Sequence, residues 1–205
     1  MTTPGTLFTV SAPSGAGKTS LVNALAERQK GLFVSVSHTT RRQRPGEQDG
    51  LNYHFVSEDL FEEMSSRDAF LEQARVFGHR YGTSREWVEQ QLAGGHDAIL
   101  EIDWQGAEQV RSQMPSSISI FILPPSRAAL RQRLLDRRQD DGEVITRRME
   151  QAADDIRHFH QADFMVINDD FEQALVDLEC IVQNQRLRVE KQERRWRSLL
   201  TELLS

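Results

Sequence analysis

The sequence predicts an α/β fold, a parallel sheet with helices packed on both faces. Three observations predict it. Strand-like apolar runs fall at 7–10, 33–36, 98–102, 118–123 and 164–167. Helical patterns lie between or after most of them, and a glycine-bearing loop joins the first run to the first helix. Ligands of such sheets sit at the carboxyl ends of the strands, where that loop would lie. With 205 residues the chain makes one ordinary domain, large enough to bury its own core and to carry an insert or lid. A hydrophobic share of 38% and a charged share of 27% place it with globular chains rather than disordered ones.

Leu7-Phe8-Thr9-Val10 reads as a short buried strand. Residues 11–19 follow as Ser-Ala-Pro-Ser-Gly-Ala-Gly-Lys-Thr. They fit the phosphate-loop pattern G-x-x-x-x-G-K-[ST], except that Ala12 takes the first glycine position. From Thr19 to Arg28, Leu21, Val22 and Leu25 share one face of a helix. Strand, loop and helix N-terminus together aim backbone N–H groups at one spot, where the helix dipole favours an anion. Ala12, Pro13, Ser14, Gly15, Ala16 and Gly17 would form the cradle. Lys18 would reach the β/γ-phosphates, and the Thr19 hydroxyl would hold Mg²⁺. The chain is therefore expected to bind a nucleoside triphosphate. A Gly/Ser turn before an ordinary helix is the blander reading, and it leaves the intact Gly17-Lys18-Thr19 without a purpose.

Residues 37–95 break the alternation. Strand-like pieces at Asn52 to Val56, Phe70 to Phe77 and His79 to Gly82 mix with a short helix after Ser57. A second helix is capped by Thr83 or Ser84 and ends at Gly94-Gly95. This reads as a small α+β insert. Residues 137–144, polar and carrying a glycine between two helical patterns, read as a mobile loop. From Phe171 to the end the pattern is one long amphipathic helix, strongly charged after Arg186. Its polar end reads as solvated, with a homo-oligomer contact as the alternative.

Charge and cysteine usage exclude several classes. A net charge of −6 argues against bulk nucleic-acid or membrane-surface binding. Ile118 to Leu123, among the longest apolar runs, is far too short to span a bilayer. No basic region followed by an apolar stretch opens the chain, so nothing suggests secretion. Cys180 is the single cysteine and cannot pair internally, which fits a reducing cytoplasm; its apolar helical setting makes it a core residue. Only Lys18, Lys30 and Lys191 are lysines, and arginine supplies the other cations, clustered at 41–44 and 127–148. Arginine is the better bidentate partner for phosphate. His38, His79, His96, His158 and His160 lack metal-site spacing and read as surface or structural.

The insert carries Ser37-His38-Thr39-Thr40-Arg41-Arg42-Gln43-Arg44-Pro45-Gly46-Glu47, then Asn52-Tyr53, Phe70-Leu71-Glu72 and Tyr81-Gly82-Thr83-Ser84. Glu101-Ile102-Asp103-Trp104-Gln105-Gly106 and Asn168-Asp169-Asp170 follow in order. The series resembles the guanylate-kinase signature of the bacterial type, from Thr6 to at least Leu178. The resemblance implies a P-loop NTPase-like core at 1–36 and 96–205, a GMP-binding insert at about 37–95 and a lid at about 137–148. It implies transfer of the γ-phosphate of ATP to GMP with Mg²⁺, with dGMP expected as a further acceptor.

Carried over residue by residue, Arg41, Arg44, Tyr53 and Tyr81 should hold the GMP phosphate, with Glu47 in the same site. Ser37, Glu72, Thr83 and Asp103 should read guanine, Glu101 should lie near the metal and the phosphates, and Asn168 close to the adenine. Arg137 and Arg148 should come from the lid and act with Lys18 and Arg41 in catalysis. Glu72 and Asp103 can accept from the guanine N1 and N2 donors, and the Thr83 hydroxyl can donate to O6. The attacking phosphate oxygen is already anionic, so alignment and charge stabilisation carry the reaction. Singly, each residue has a bland reading: Arg148 as a surface arginine, Tyr53 and Tyr81 as core, Asp103 or Glu101 as a cap of the next helix. The rival functions are a guanylate-kinase-like scaffold module and a sugar-phosphate kinase of similar fold. The intact Lys18, Arg41 and Arg44 oppose the first, and Glu72, Thr83 and Asp103 the second. Glu101 stands where many relatives have Asp, and Arg138 where they often have Gly.

Overall fold

The computed structural model describes residues 3–76, 78–136 and 142–205. Its centre is a five-stranded parallel sheet in the order β2-β7-β1-β8-β9, formed by β1 (Leu7–Ser11), β2 (Leu32–Val34), β7 (Asp97–Glu101), β8 (Ile118–Leu123) and β9 (Phe164–Ile167). Leu7 lies opposite Ala98 and Phe8 opposite Ile118, so β1 is central. All five of its residues are buried, as expected for a parallel strand covered on both faces. Alternation along β1 splits the core. Phe8 and Val10 pack with Leu21, Val22 and Leu25 of α1 (Lys18–Arg28) and with Leu175, Leu178 and Val182 of α7 (Phe171–Arg186). Leu7 packs on the other face with Val88 of α3 (Arg85–Ala93) and Val110 of α4 (Trp104–Gln113). Each such fully buried aliphatic side chain contributes about 1.5–3 kcal/mol.

A second sheet, β4-β3-β6-β5, lies in the 37–95 stretch: β3 (His38–Thr39), β4 (His54–Phe55), β5 (Phe70–Val76) and β6 (His79–Ser84). The helix α2 (Glu58–Ser66) starts where Ser57 Oγ accepts from Leu60 N at 3.1 Å. Ser84 caps α3 through Trp87 N at 3.3 Å. A bulge between Phe70 and Glu72 leaves Phe70, Leu71 and Glu72 all buried in succession, which a regular strand would not do. Leu71 thereby joins the main-sheet cluster, as does Val88. The helical end of the insert thus shares the core of the main body.

Other expectations shift or fail. The second strand is Leu32–Val34 rather than 33–36, because its register is set by pairing with Asp97 to Ile99. The single C-terminal helix is three: α7, α8 (Val189–Arg195) and α9 (Arg197–Leu204). The break has a cause. Arg186 Nε binds Asp97 Oδ2 at 2.7 Å, and Gln192 Nε2 donates back to Arg186 O at 2.8 Å. Lys191 also reaches Thr6 Oγ1, folding α8 onto the start of β1. Cys180 is exposed, not core, because Leu175, Leu178 and Val182 define the inward face of α7 and position 180 lies off it. Of the 137–144 loop and the lid, residues 137–141, with Arg137 and Arg138, lie outside the described residues, as does Phe77. From Gly142 the chain is α6 (Gly142–Ile156), whose Ile145, Met149 and Ala152 pack on Leu130 and Leu134 of α5 (Arg127–Asp136).

Candidate active site

Two cavities meet at the carboxyl end of the central sheet. The larger, 580 Å³, is lined by every residue from Ala12 to Thr19, with Asp103, Trp104, Arg147 and Asp155 across from them. The smaller, 330 Å³, is lined by Ser37, Tyr53, Glu72, Tyr81 and Glu101. Ser14, Lys18, Val76 and Asp103 line both. Lys18 and Asp103 are thus the charged groups at the junction.

The loop keeps its shape through glycines and a buried brace. Gly15 and Gly17 have φ of 90° and 92°, a region that costs an L side chain strain. A Cβ on Gly17 would also lie 2.4 Å from Asn168 Nδ2. Asn168, 5% exposed, donates from Nδ2 to Ala16 O at 2.7 Å. Arg133 joins the brace, donating to Asn168 O at 2.9 Å and to Ala16 O at 3.5 Å. Asn168 therefore does not line the cavity, and its side chain is committed to the loop.

Lys18 Nζ donates to Ile102 O at 2.8 Å. Burial lowers its pKa, opposed by Glu101, Asp103, Asp155 and Glu72. One ammonium thus faces four carboxyl groups. Burial also pushes the Asp155 carboxyl up. Thr19 Oγ1 donates to Glu101 Oε1, so Glu101 stands beside the loop hydroxyl at the edge of the smaller cavity. No group of three or more His, Cys, Asp or Glu suited to a metal occurs among the described residues. The Thr19 hydroxyl and Glu101 carboxylate are hard oxygen donors of the kind that Mg²⁺ takes when phosphates and water complete its shell.

In the smaller cavity Glu72 is 4% exposed. Burial pushes its carboxyl up to about 7, against hydrogen bonds from Thr83 that lower it and with the Asp103 charge raising it. Thr83 Oγ1 donates to Glu72 Oε1 at 2.6 Å. Thr83 is 0% exposed and is absent from the lining of the cavity, and its hydroxyl proton is given to the Glu72 carboxylate. Asp103 does cap α4, accepting from Gly106 N at 2.8 Å through Oδ1, and it also lines both cavities. The cap and the place beside the cavities are compatible in one side chain.

Arg41 and Glu47 form a two-point ion pair of 2.7 and 3.0 Å. The Glu47 hydrogen bond foremost raises the Arg41 pKa, and the same bond lowers that of Glu47. The Arg41 guanidinium lies 5.2 Å from the centre of the Tyr53 ring, which meets Tyr81 edge-on at 5.9 Å. Burial raises the Tyr53 pKa. Arg44 is exposed, and its backbone N–H binds Glu47 Oε2 at 2.8 Å. Neither Arg41, Arg44 nor Glu47 lines the smaller cavity; Arg41 touches it only through Tyr53.

On α6, Arg147 lines the larger cavity, and Arg148 does not. Arg147, Gln151 and Asp155 repeat at i, i+4 and i+8 along the side of α6 that lines the cavity, whereas Arg148, three residues after Ile145, lies toward the face that Ile145, Met149 and Ala152 turn to α5. Sequence reasoning missed Arg147, Arg133, Trp104 and Asp155. The Arg147-Arg148 doublet was the one signal for the first. Trp104 stacks on His158 at 3.4 Å between ring centres, a contact no spacing rule would find.

Known proteins resemble this chain along most of its length. The family model described as "Guanylate kinase" matches residues 5–185. The guanylate kinase of Saccharophagus degradans is 57% identical over 205 residues, covering 100% of both chains. That of Escherichia coli K12 is 55% identical over 204 residues, covering 98% of each. The crystal structure of guanylate kinase from Anaplasma phagocytophilum superposes with a TM-score of 0.77 at 31% identity, over 92% of this chain and 89% of that one.

Proposed function

This chain belongs to the guanylate kinase family and is an ATP:GMP phosphotransferase of purine nucleotide recycling, and we propose that its larger cavity takes ATP and its smaller one GMP. The observation that carries this assignment is the junction. Lys18 and Asp103 line both cavities, so a γ-phosphate laid in the loop would end where an acceptor phosphate enters.

In this reading residues 12–19 hold the ATP phosphates through backbone N–H groups, Lys18 and Thr19. Asn168 supports the loop from behind. Thr19 and Glu101 would hold Mg²⁺, which supplies charge neutralisation on the transferring phosphoryl group. Tyr53, Tyr81, Arg41 and Arg44 bind the GMP phosphate, and Glu47 pre-aims Arg41 until that phosphate competes for its fork. Ser37, Glu72 and Asp103 read guanine, whose N1–H and N2–H donate to the two carboxylates, while Thr83 holds Glu72 in place. Adenine would turn a lone pair to a carboxylate. Sites built on such hydrogen bonds discriminate by roughly 10⁴–10⁵. Arg147, with the Arg137 and Arg148 of the resemblance, would meet the phosphates as the 137–148 segment closes as a lid, excluding water.

The proposed contacts use the base and phosphate, so dGMP should also serve. Leu199, Leu203 and Leu204 of α9 are exposed, which supports a homo-oligomer. No helix among the described residues is long and apolar enough to cross a membrane. With the net charge of −6, this supports a cytoplasmic enzyme of small-molecule substrates, without nucleic acid or membrane partners. A coupled assay with ATP and Mg²⁺ against GMP, AMP, CMP, UMP and dTMP tests the reading. GMP alone should turn over rapidly, and comparable rates with AMP would overturn the guanine assignment.

A further inference from the structure

We propose that Gly106 is a specificity-determining position, whose missing side chain seats Glu72 against the first turn of α4 and so sets guanine selection. The proposal rests on Glu72 as a guanine acceptor. Gly106 is buried inside α4, and a glycine within a helix is destabilising relative to alanine. Its φ is not positive, so the helix backbone does not require glycine there. The neighbour does. A Cβ at this position would stand 2.8 Å from Glu72 Oε2 and 3.4 Å from Asp103 Oδ1.

Glu72 has nowhere to retreat. Its other oxygen holds the Thr83 hydroxyl at 2.6 Å. The strand on either side is fastened to α4 by glutamines of the same helix. Gln113 Nε2 donates to Leu71 O at 2.7 Å, and Gln109 exchanges hydrogen bonds with the backbone of Gln73 at 3.1 and 2.9 Å. These bonds fix the distance between β5 and α4 at the position of Glu72. Gly106 therefore registers both carboxylates: its N–H holds Asp103 at 2.8 Å, and its bare Cα admits Glu72. A methyl group there would push the Glu72 carboxylate off Thr83 and out of line with Asp103.

The test is steady-state kinetics on Gly106→Ala, Glu72→Gln and the double variant Gly106→Ala/Glu72→Asp, whose shorter acid withdraws the carboxylate by one methylene. Gly106→Ala should raise KM for GMP by roughly tenfold or more and raise the AMP-to-GMP ratio of kcat/KM. KM for ATP and kcat at saturating GMP should stay within about twofold. The double variant should recover GMP selectivity relative to Gly106→Ala, which a loss of general packing would not allow. Wild-type KM for GMP in Gly106→Ala, or equal losses toward ATP and GMP without recovery in the double variant, would overturn the proposal. If Glu72→Gln itself binds GMP normally, the reading of Glu72 falls and takes this one with it. If Glu72→Gln weakens GMP while Gly106→Ala does not, only the role of Gly106 is lost.

Discussion

Thr83 donates to Glu72 across the β5–β6 pair, Oγ1 to Oε1 at 2.6 Å, and both side chains are closed off from solvent. The hydroxyl leaves the second carboxylate oxygen to face α4 and the smaller cavity. Thr83→Ala and Glu72→Gln should each lower kcat/KM for GMP by about 1–3 kcal/mol, the cost of a buried polar group left without its partner. The AMP-to-GMP activity ratio should rise most in Glu72→Gln, because an amide can present a donor and an acceptor to adenine. Unchanged discrimination in both variants would place the guanine site elsewhere.

The raised Glu72 pKa, about 7 through burial, ties GMP binding to pH. Guanine donors require the carboxylate, so binding must release a proton below that pKa. GMP affinity by calorimetry should weaken as pH falls from about 8 to about 6, approaching tenfold per pH unit well below the pKa. The part of the dependence that belongs to Glu72 should vanish in Glu72→Gln, leaving that of the GMP phosphate, whose second pKa is about 6. Stability runs the other way. The native state keeps the Glu72 proton above its ordinary value of 4.5, so wild-type stability falls as pH rises from there through about 7. Glu72→Gln should gain relative to wild type across that window in urea midpoints, and a relative loss would contradict the assignment.

Arg41 is held by Glu47 through both carboxylate oxygens, at 2.7 and 3.0 Å. If this guanidinium serves the GMP phosphate, Arg41→Ala should raise Kd for GMP by at least about tenfold, in line with a charge-assisted pair of about 1.5–3 kcal/mol. Guanosine, which lacks the phosphate, should bind wild type and variant alike. Equal weakening of both ligands would show a structural role instead.

The strands of the parallel sheet, the loop and the helix after it were legible because each is written in local periodicity and one nine-residue motif, 11–19; the order β2-β7-β1-β8-β9 was not, since it is set by pairing between strands far apart in the chain. The insert was legible as a separate α+β stretch, but β3 was not, since His38-Thr39 is only two residues long and takes its conformation from Tyr81 and Gly82. Residues such as Asp103 and Glu72 were singled out by motif. Their geometry was not: the bulge that turns Glu72 inward arises from strand pairing. Arg133 and Asn168 could be noticed as polar residues, yet their shared partner, Ala16 O, lies more than 100 positions away in the chain. The break at Leu187 depends on Arg186 finding Asp97, a contact across 89 positions.

That brace behind the loop makes its own prediction. Asn168→Ala removes the donor to Ala16 O and leaves a buried carbonyl short of a partner, at a cost of about 1–3 kcal/mol in stability. KM for ATP should rise while KM for GMP stays near wild type. A variant impaired toward GMP and normal toward ATP would contradict the bracing role.

Lys18 lies where the two cavities meet, and measuring both GDP formation and GMP binding in Lys18→Ala separates a donor nucleotide in one from an acceptor in the other. GDP formation at saturating ATP, Mg²⁺ and GMP should fall by orders of magnitude, because the charge beside the transferring phosphoryl group is gone. GMP affinity by calorimetry should stay near wild type, since its proposed contacts lie on Glu72, Asp103, Tyr53, Tyr81 and Arg41. Turnover close to wild type, or a loss of GMP binding as large as the loss of turnover, would contradict that assignment.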